Sequence, residues 1–114
     1  NFLKRLNTCV LAIRTTMKLV RDKIPAIIIE DGRKPIYHLA TPTEYKRELF
    51  RKVIEELEEF REEPCLEEAA DLVEVVHTLI ESHGFSFADV VDTGMAKARL
   101  VGGFNRGIIL DSVE

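Results

Sequence analysis

Acidic residues are concentrated in one stretch of the chain, from Glu55 to Glu74. Ten of the twenty acidic residues fall in these twenty positions, and Arg61 is the only basic residue among them. Most charge runs of this kind form a solvated helix face. Carboxylates that are brought together can instead bind a metal ion or transfer protons. The position of each acid on its helix decides between these two interpretations.

The first of two predicted helices carries acids within its apolar face. At about 100° per residue, its apolar side chains form one continuous arc. Glu56 lies inside this arc, Glu59 lies at its edge one turn further on, and Glu55 lies just beyond it. The arc comprises Tyr45, Leu49, Phe50, Val53, Ile54, Leu57 and Phe60.

The second predicted helix repeats the arrangement. Glu68 projects between Val75 and Leu79 within a wide apolar arc, and Asp71 flanks the border of the same arc. Each helix therefore has one acid inside its packing surface and another acid three residues later at the margin. If the two helices face each other, four carboxylates point into one space between them. A solvated helix face does not explain this pattern.

Such a cluster needs a compensating charge. Two like charges 4 Å apart repel by about 4 kcal/mol at an effective dielectric constant near 20, and partial burial adds a desolvation cost. Either protons or a divalent cation must compensate. Because the predicted ligands are carboxylates without paired His or Cys, they favour a hard cation. We expect Mg²⁺, which shares its remaining positions with waters and phosphate oxygens, and Mn²⁺ as a substitute.

These acids also resemble the motifs of a known family. Glu55-Glu-x-x-Glu59 followed by Glu68-x-x-Asp71 resembles the E-E-x-x-E and E-x-x-D motifs of the all-α, MazG-like nucleoside triphosphate pyrophosphohydrolases. The segment 18–25, KLVRDKIP, looks like the N-terminal motif of a small branch described as phosphoribosyl-ATP pyrophosphohydrolase-like. The resemblance extends from residue 17 almost to the C-terminus.

The resemblance implies hydrolysis of a nucleoside triphosphate between its α and β phosphates, which gives a monophosphate and pyrophosphate. Glu55 is implied as the residue that orients or deprotonates the attacking water, a role that Glu59 could share. No Ser/His/Asp or Cys/His set for nucleophilic catalysis lies near these helices. By motif position, the implied metal ligands are Glu56, Glu59, Glu68 and Asp71.

Basic residues and glycines outside the acidic stretch are candidate phosphate contacts. In the N-terminal motif these are Arg21 and Lys23, for which salt bridges to the acidic helices are a nearly equal alternative. Near the C-terminus, Lys97 offers an ammonium group, and Gly102 and Gly103 offer backbone amides. Each of these groups suits a phosphorylated ligand.

The C-terminal motif departs from the family pattern at one position. The branch usually has an Arg four residues after its Lys, followed by Gly-Gly-Phe. Here Lys97 is followed at that spacing by Val101, and the chain continues with Gly-Gly-Phe. The phosphate contact implied for that Arg therefore has no residue at the matching position, and Arg99, which points elsewhere on a helix, would replace it only if the end of the helix unwinds.

Local signals predict where the helices begin and end. Thr41, with Pro and Glu following, forms a capping box that begins a helix ending near residue 63, before Pro64. A second helix covers residues 66–83 and ends at Gly84. A third begins after Ser86 and reaches about residue 100.

We therefore expect a mainly α protein. An antiparallel helix pair is expected to join that of a partner subunit in a four-helix bundle, as a homodimer or homotetramer. Short peripheral strands are expected over 34–40 and 107–110. Residues 17–114 are interpreted as a single domain, and residues 1–16 as a non-native or disordered extension, with a short amphipathic helix as the alternative.

Composition excludes several classes of partner. No apolar run approaches the ~20 residues that span a bilayer, so no membrane association is expected. Residues 1–52 carry twelve basic and five acidic residues, but the net charge of −4 argues against nucleic-acid binding and favours a small phosphorylated ligand. The two cysteines form no CxxC or zinc spacing, which favours a reducing cytoplasm.

The sequence thus predicts a metal-dependent nucleoside triphosphate pyrophosphohydrolase. Two alternatives stay open. Phosphoribosyl-ATP pyrophosphohydrolysis uses similar chemistry on another nucleotide. A non-catalytic helical interaction module with a divalent-cation site would bind metal without releasing pyrophosphate.

Overall fold

The computed structural model describes residues 17–114, which contain four helices and no strand. The predicted helical class is confirmed. The described chain divides into two compact units, a first that ends at Leu79 and a second from Ile80 to Glu114, each of which is described by itself. The interpretation of residues 1–16 lies outside the described residues. The helices are α1 (Ile24–Glu30), α2 (Pro42–Glu62), α3 (Leu66–Ser82) and α4 (Phe87–Val101).

Helix α1 is a short apolar helix at the start of the described chain. Pro25 lies in its first turn, where the missing N–H group breaks no helical hydrogen bond. Ile24 is only 4% exposed and is one of two buried apolar residues in the described chain. Burial of Ile24 attaches the basic segment 18–23, which directly precedes the helix, to the first unit.

Helices α2 and α3 form the hairpin that carries the acidic motifs. The Thr41 hydroxyl accepts a hydrogen bond from the Glu44 amide at 3.2 Å, as the predicted cap requires. Helix α2 ends at Glu62, one residue before the predicted end, and Pro64 lies in the three-residue connection to α3. A connection this short makes the two helices antiparallel neighbours.

Helix α4 belongs to the second unit, and its ends follow the predicted signals. The Ser86 hydroxyl accepts a hydrogen bond from the Asp89 amide at 3.4 Å. At the other end, the Gly102 amide donates to the Ala98 carbonyl at 2.8 Å, with Gly102 in a positive-φ conformation. None of the helices in residues 17–114 is both long enough and apolar enough to cross a membrane.

The two predicted peripheral strands are wrong for the described chain. Residues 34–40 and 107–110 are irregular. A strand needs a neighbour that completes its backbone hydrogen bonds, and neither segment has one within residues 17–114. Pro35 also removes a donor from the first segment. β-forming side chains alone therefore did not produce strands.

The apolar arc of α2 is only partly covered. Leu49 is 1% exposed and Val53 is half-buried. In contrast, Phe50, Ile54 and Leu57 remain 52%, 57% and 52% exposed. The arc is wider than the surface that one neighbouring helix covers, so part of it forms an exposed apolar stripe, which we define as Phe50, Ile54 and Leu57.

Candidate metal centre

Two of the four buried residues in the described chain are glutamates. Glu56 on α2 is 7% exposed and Glu68 on α3 is 6% exposed. The other two buried residues are Ile24 and Leu49. Because burial of a carboxylate costs several kcal/mol unless it is compensated, two buried glutamates on neighbouring helices require a specific partner. Both positions agree with the sequence analysis, which placed these acids within the apolar arcs.

The carboxylates of the two helices form two overlapping groups. One group contains Glu55, Glu56 and Glu59, all from α2. The other contains Glu56 together with Glu68 and Asp71 from α3. Within each group, one carboxylate oxygen per residue lies within 4.8 Å of those of the other members. The four predicted ligands therefore all belong to the cluster, and Glu56 is shared by both groups.

The buried oxygen of Glu56 gives the sharpest indication of a ligand site. Its Oε1 atom lies 3.4 Å from Nζ of Lys52. Its Oε2 atom is buried and accepts no hydrogen bond from residues 17–114. Oε2 of Glu68 is also buried and accepts no hydrogen bond within the described part of the chain, although Glu68 interacts with other residues. A buried acceptor without a donor is costly, and an anionic one is especially so, but this arrangement suits an atom that binds a cation.

Proton affinities in the cluster reflect this crowding. Burial raises the pKa of Glu56 above its usual value, and the charges of Glu59 and Asp71 raise it further. Burial also raises the pKa of Glu59, with additional contributions from the charges of Glu68 and Glu55. The cluster therefore favours any cation, whether a proton or a metal ion, that reduces its negative charge.

Two lysines that the sequence analysis did not single out contact Glu55. Lys18 Nζ donates to Glu55 Oε1 at 3.2 Å, and Lys52 Nζ lies 3.5 Å from the same oxygen. Lys52 is three residues before Glu55 and four before Glu56, a spacing that brings side chains together on a helix. This spacing was a usable signal. The contact between Lys18 and Glu55 joins residues 37 positions apart, and no local sequence pattern indicates it.

Arg21 connects the N-terminal segment to α3. Its NH2 group donates to Asp71 Oδ1 at 2.8 Å, and its NH1 group donates to both carboxylate oxygens of Glu74 at 2.9 Å. The structure thus forms the salt bridges that the sequence analysis weighed as an alternative to phosphate contact. Lys23 is exposed and lies at the N-terminal boundary of α1.

The C-terminal phosphate candidates belong to the second unit. Lys97 and Val101 are exposed on α4, one turn apart, and Val101 is 76% exposed. Gly102 ends the helix with a φ of 84°, a conformation that glycine adopts without strain, and Gly103 follows it. Their roles as phosphate contacts stay predictions.

The donor set fits a hard divalent cation. All members of both groups offer carboxylate oxygens, and one of these, Oε2 of Glu56, is buried without a hydrogen bond. Lys18, Arg21 and Lys52 lie around the cluster and neutralise part of its charge. Comparison of the chain with family models, with curated proteins and with solved structures finds no match. The interpretation of this site therefore depends on its geometry and on its two acidic motifs.

Proposed function

We propose that the protein is a metal-dependent nucleoside triphosphate pyrophosphohydrolase of the MazG-like type. The observation that carries the proposal is the pair of buried glutamates, Glu56 and Glu68, within a cluster of carboxylates from α2 and α3. A helix hairpin gains no stability from burying like charges side by side. A bound cation would compensate these buried charges and, in turn, bind a polyphosphate.

Mg²⁺ is the proposed cation, and Mn²⁺ can replace it. The proposed ligands are Glu56, Glu59, Glu68 and Asp71, and Glu55 belongs to the same cluster. A bound divalent cation would neutralise the carboxylates and withdraw charge from phosphate oxygens. Magnesium suits this role because it takes few protein carboxylates and leaves positions for waters and phosphates.

Glu55 is proposed to orient the attacking water or accept its proton, a role that Glu59 could share. The Glu55 carboxylate is held by Lys18 and Lys52, which fix its position beside Glu56. A base must be held within hydrogen-bond reach of the proton that it takes, so this restraint favours the role. Attack at the α phosphate releases pyrophosphate as the leaving group and leaves a nucleoside monophosphate.

The remaining groups are proposed to bind the phosphates. Arg21 and Lys23 precede α1, while Lys97, Gly102 and Gly103 lie in the second unit. A guanidinium group can bind two phosphate oxygens at once, and backbone amides bind one each.

The exposed apolar stripe of α2 supports assembly with a second copy of the chain. Phe50, Ile54 and Leu57 recur at helical spacing and are each about half exposed. Only two apolar residues in the described chain are buried, which is a small core for a chain of this length. Pairing of two copies through this stripe would produce the four-helix bundle. Leu57→Glu is expected to lower the mass in solution, measured by light scattering, while Glu58→Gln leaves it unchanged.

Pyrophosphate release from a panel of nucleoside triphosphates tests the activity. The expected result is release that requires Mg²⁺, stops with EDTA, and is lost in Glu56→Gln but retained in the exposed control Glu58→Gln. Phosphoribosyl-ATP is included as a separate substrate, and preferential cleavage of it would favour the alternative pyrophosphohydrolase. Metal binding without release from any substrate would support the non-catalytic module instead.

A further inference from the structure

One guanidinium group joins a proposed metal ligand to a carboxylate that has no assigned role. Arg21 donates through NH2 to Asp71, a member of the cluster, and through NH1 to Glu74, which is one turn further along α3. Glu74 belongs to neither carboxylate group. Asp71 and Glu74 thus bind the two terminal nitrogens, NH2 and NH1, of the same planar guanidinium group.

The two contacts respond differently to a cation. Arg21 NH2 donates to Oδ1 of Asp71, and a cation bound by Glu56, Glu68 and Asp71 would draw on the negative charge of that same carboxylate. The Asp71 contact of Arg21 therefore competes with metal binding. The Glu74 contact does not compete, because Glu74 belongs to neither carboxylate group and accepts from NH1 rather than from NH2 of Arg21. A lysine, with a single compact charge, offers no such separation of its two contacts.

We propose that Glu74 is a positioning residue, which keeps Arg21 beside the cluster when Asp71 binds the cation and leaves the Arg21 NH2 group available for a phosphate of the substrate. The phosphate part of this inference rests on the proposed function. The competition between Arg21 and the cation for Asp71 does not depend on catalysis. Glu74 touches neither substrate nor metal and acts through Arg21 alone.

The first test measures binding of Mn²⁺ alone by isothermal titration calorimetry. Arg21→Ala removes the competitor for Asp71 and is expected to tighten binding about two- to fivefold, the range for an exposed ion pair. Glu74→Gln removes one of the two carboxylates that bind Arg21 and leaves Asp71 as the other. Arg21 then competes more strongly with Mn²⁺ for Asp71, so Mn²⁺ binding is expected to weaken by a similar factor. Glu58→Gln is the control for removal of one negative charge from an exposed position.

The double variant separates positioning from simple charge. If Glu74 acts on the cation only through its own charge, the effects of Arg21→Ala and Glu74→Gln multiply in the double variant. If Glu74 acts through Arg21, the double variant binds Mn²⁺ like Arg21→Ala. Glu74→Asp retains the carboxylate and is expected to recover most of the original affinity.

The second test measures binding of inorganic pyrophosphate at saturating Mn²⁺. Arg21→Ala and Glu74→Gln are both expected to weaken it about three- to tenfold, and the double variant no more than Arg21→Ala alone. Metal affinity thus moves in opposite directions in the two single variants, while pyrophosphate affinity falls in both. A purely structural salt bridge predicts instead that both affinities fall together with the melting temperature.

Two results would overturn the inference. One is a double variant whose effects multiply, and the other is unchanged pyrophosphate affinity in Glu74→Gln. Failure of the proposed function has a different signature, because the unaltered protein would then release no pyrophosphate from any nucleoside triphosphate. Absence of Mn²⁺ binding to the unaltered protein at millimolar concentration would overturn the metal centre and this inference together.

Discussion

Replacement of Glu56 by glutamine is expected to reverse the order of stability between metal-free and metal-bound protein. The substitution removes one charge from the shared member of both carboxylate groups and retains the shape of the side chain. The new amide can donate hydrogen bonds to neighbouring carboxylates such as those of Glu59 and Asp71. The variant therefore gains stability without metal and loses a ligand for the metal.

The distances in the cluster give the magnitude. At the 4.8 Å limit within each group, two carboxylates repel by about 3.5 kcal/mol at an effective dielectric constant near 20. Glu55, Glu59, Glu68 and Asp71 all lie within this limit of Glu56, whereas Lys52 at 3.4 Å attracts it by about 5 kcal/mol on the same scale. Repulsion by any two of these four carboxylates already exceeds the attraction of Lys52 by about 2 kcal/mol. We expect Glu56→Gln to raise the metal-free free energy of unfolding by about 1–2 kcal/mol at neutral pH.

Thermal unfolding in EDTA and in excess Mg²⁺ measures both effects. In EDTA the variant should melt about 4–8 °C higher for each kcal/mol gained. Mg²⁺ at a hundredfold excess over its dissociation constant should stabilise the unaltered protein by about 2.7 kcal/mol, and the variant by much less. The unaltered protein should therefore be the more stable of the two in Mg²⁺. Glu58→Gln removes an exposed charge and should stay within about 0.5 kcal/mol in both conditions.

Two outcomes would refute this reasoning. A variant that is less stable than the unaltered protein in EDTA would mean that the ion pair of Glu56 with Lys52 stabilises the fold. An equal gain from Mg²⁺ in both proteins would mean that Glu56 binds no cation. The first result would refute the balance of charges around Glu56, and the second would remove the basis for a metal centre in the helix hairpin.

Three further predictions follow from the same geometry. Because the pKa values of Glu56 and Glu59 are raised above 4.5 in the folded protein, protonation of these two groups stabilises the fold fully below that pH, and this stabilisation is lost as the pH rises through the raised values. Urea unfolding in EDTA should therefore show a free energy of unfolding that falls as the pH rises, and that falls less steeply in Glu56→Gln. Glu55→Gln should lower kcat about a hundredfold or more while the dissociation constant for Mn²⁺ changes little, as steady-state kinetics and metal titration would show. An equal loss of kcat and of affinity for Mn²⁺ would make Glu55 a metal ligand. If the family's Arg makes a phosphate contact that this chain lacks, Val101→Arg should raise kcat/KM about tenfold, and the melting temperature should not change because Val101 is exposed. A variant that stays assembled and gains no activity would contradict the idea that a contact is lacking.

Much of the helical framework was predictable because its signals are local. Thr41 and Ser86 each cap a helix through the hydroxyl that the sequence suggested, and Gly84 adopts the positive φ expected after α3. The buried positions of Glu56 and Glu68 were also predictable, because helical periodicity places them within apolar arcs. Each of these features depends on residues that lie within one or two helical turns of each other in the sequence.

The remaining features depend on contacts between distant segments. Lys18 and Arg21 meet Glu55 and Asp71 across 37 and 50 residues, and no local pattern selects those partners. Residues 34–40 contain β-forming side chains but formed no strand, because no neighbouring strand completes their hydrogen bonds in residues 17–114. Half exposure of Leu57 likewise reflects how much of α2 its neighbours cover, which periodicity does not predict.

The most direct test of the proposed activity is a ³¹P NMR time course of a nucleoside triphosphate mixed with the protein and Mg²⁺. We predict that monophosphate and pyrophosphate signals grow together in equal amounts, that EDTA stops their growth, and that Glu56→Gln shows neither signal while Glu58→Gln shows both. Formation of nucleoside diphosphate and inorganic phosphate, or products that form equally well with Glu56→Gln, would contradict pyrophosphohydrolysis at the carboxylate cluster of α2 and α3.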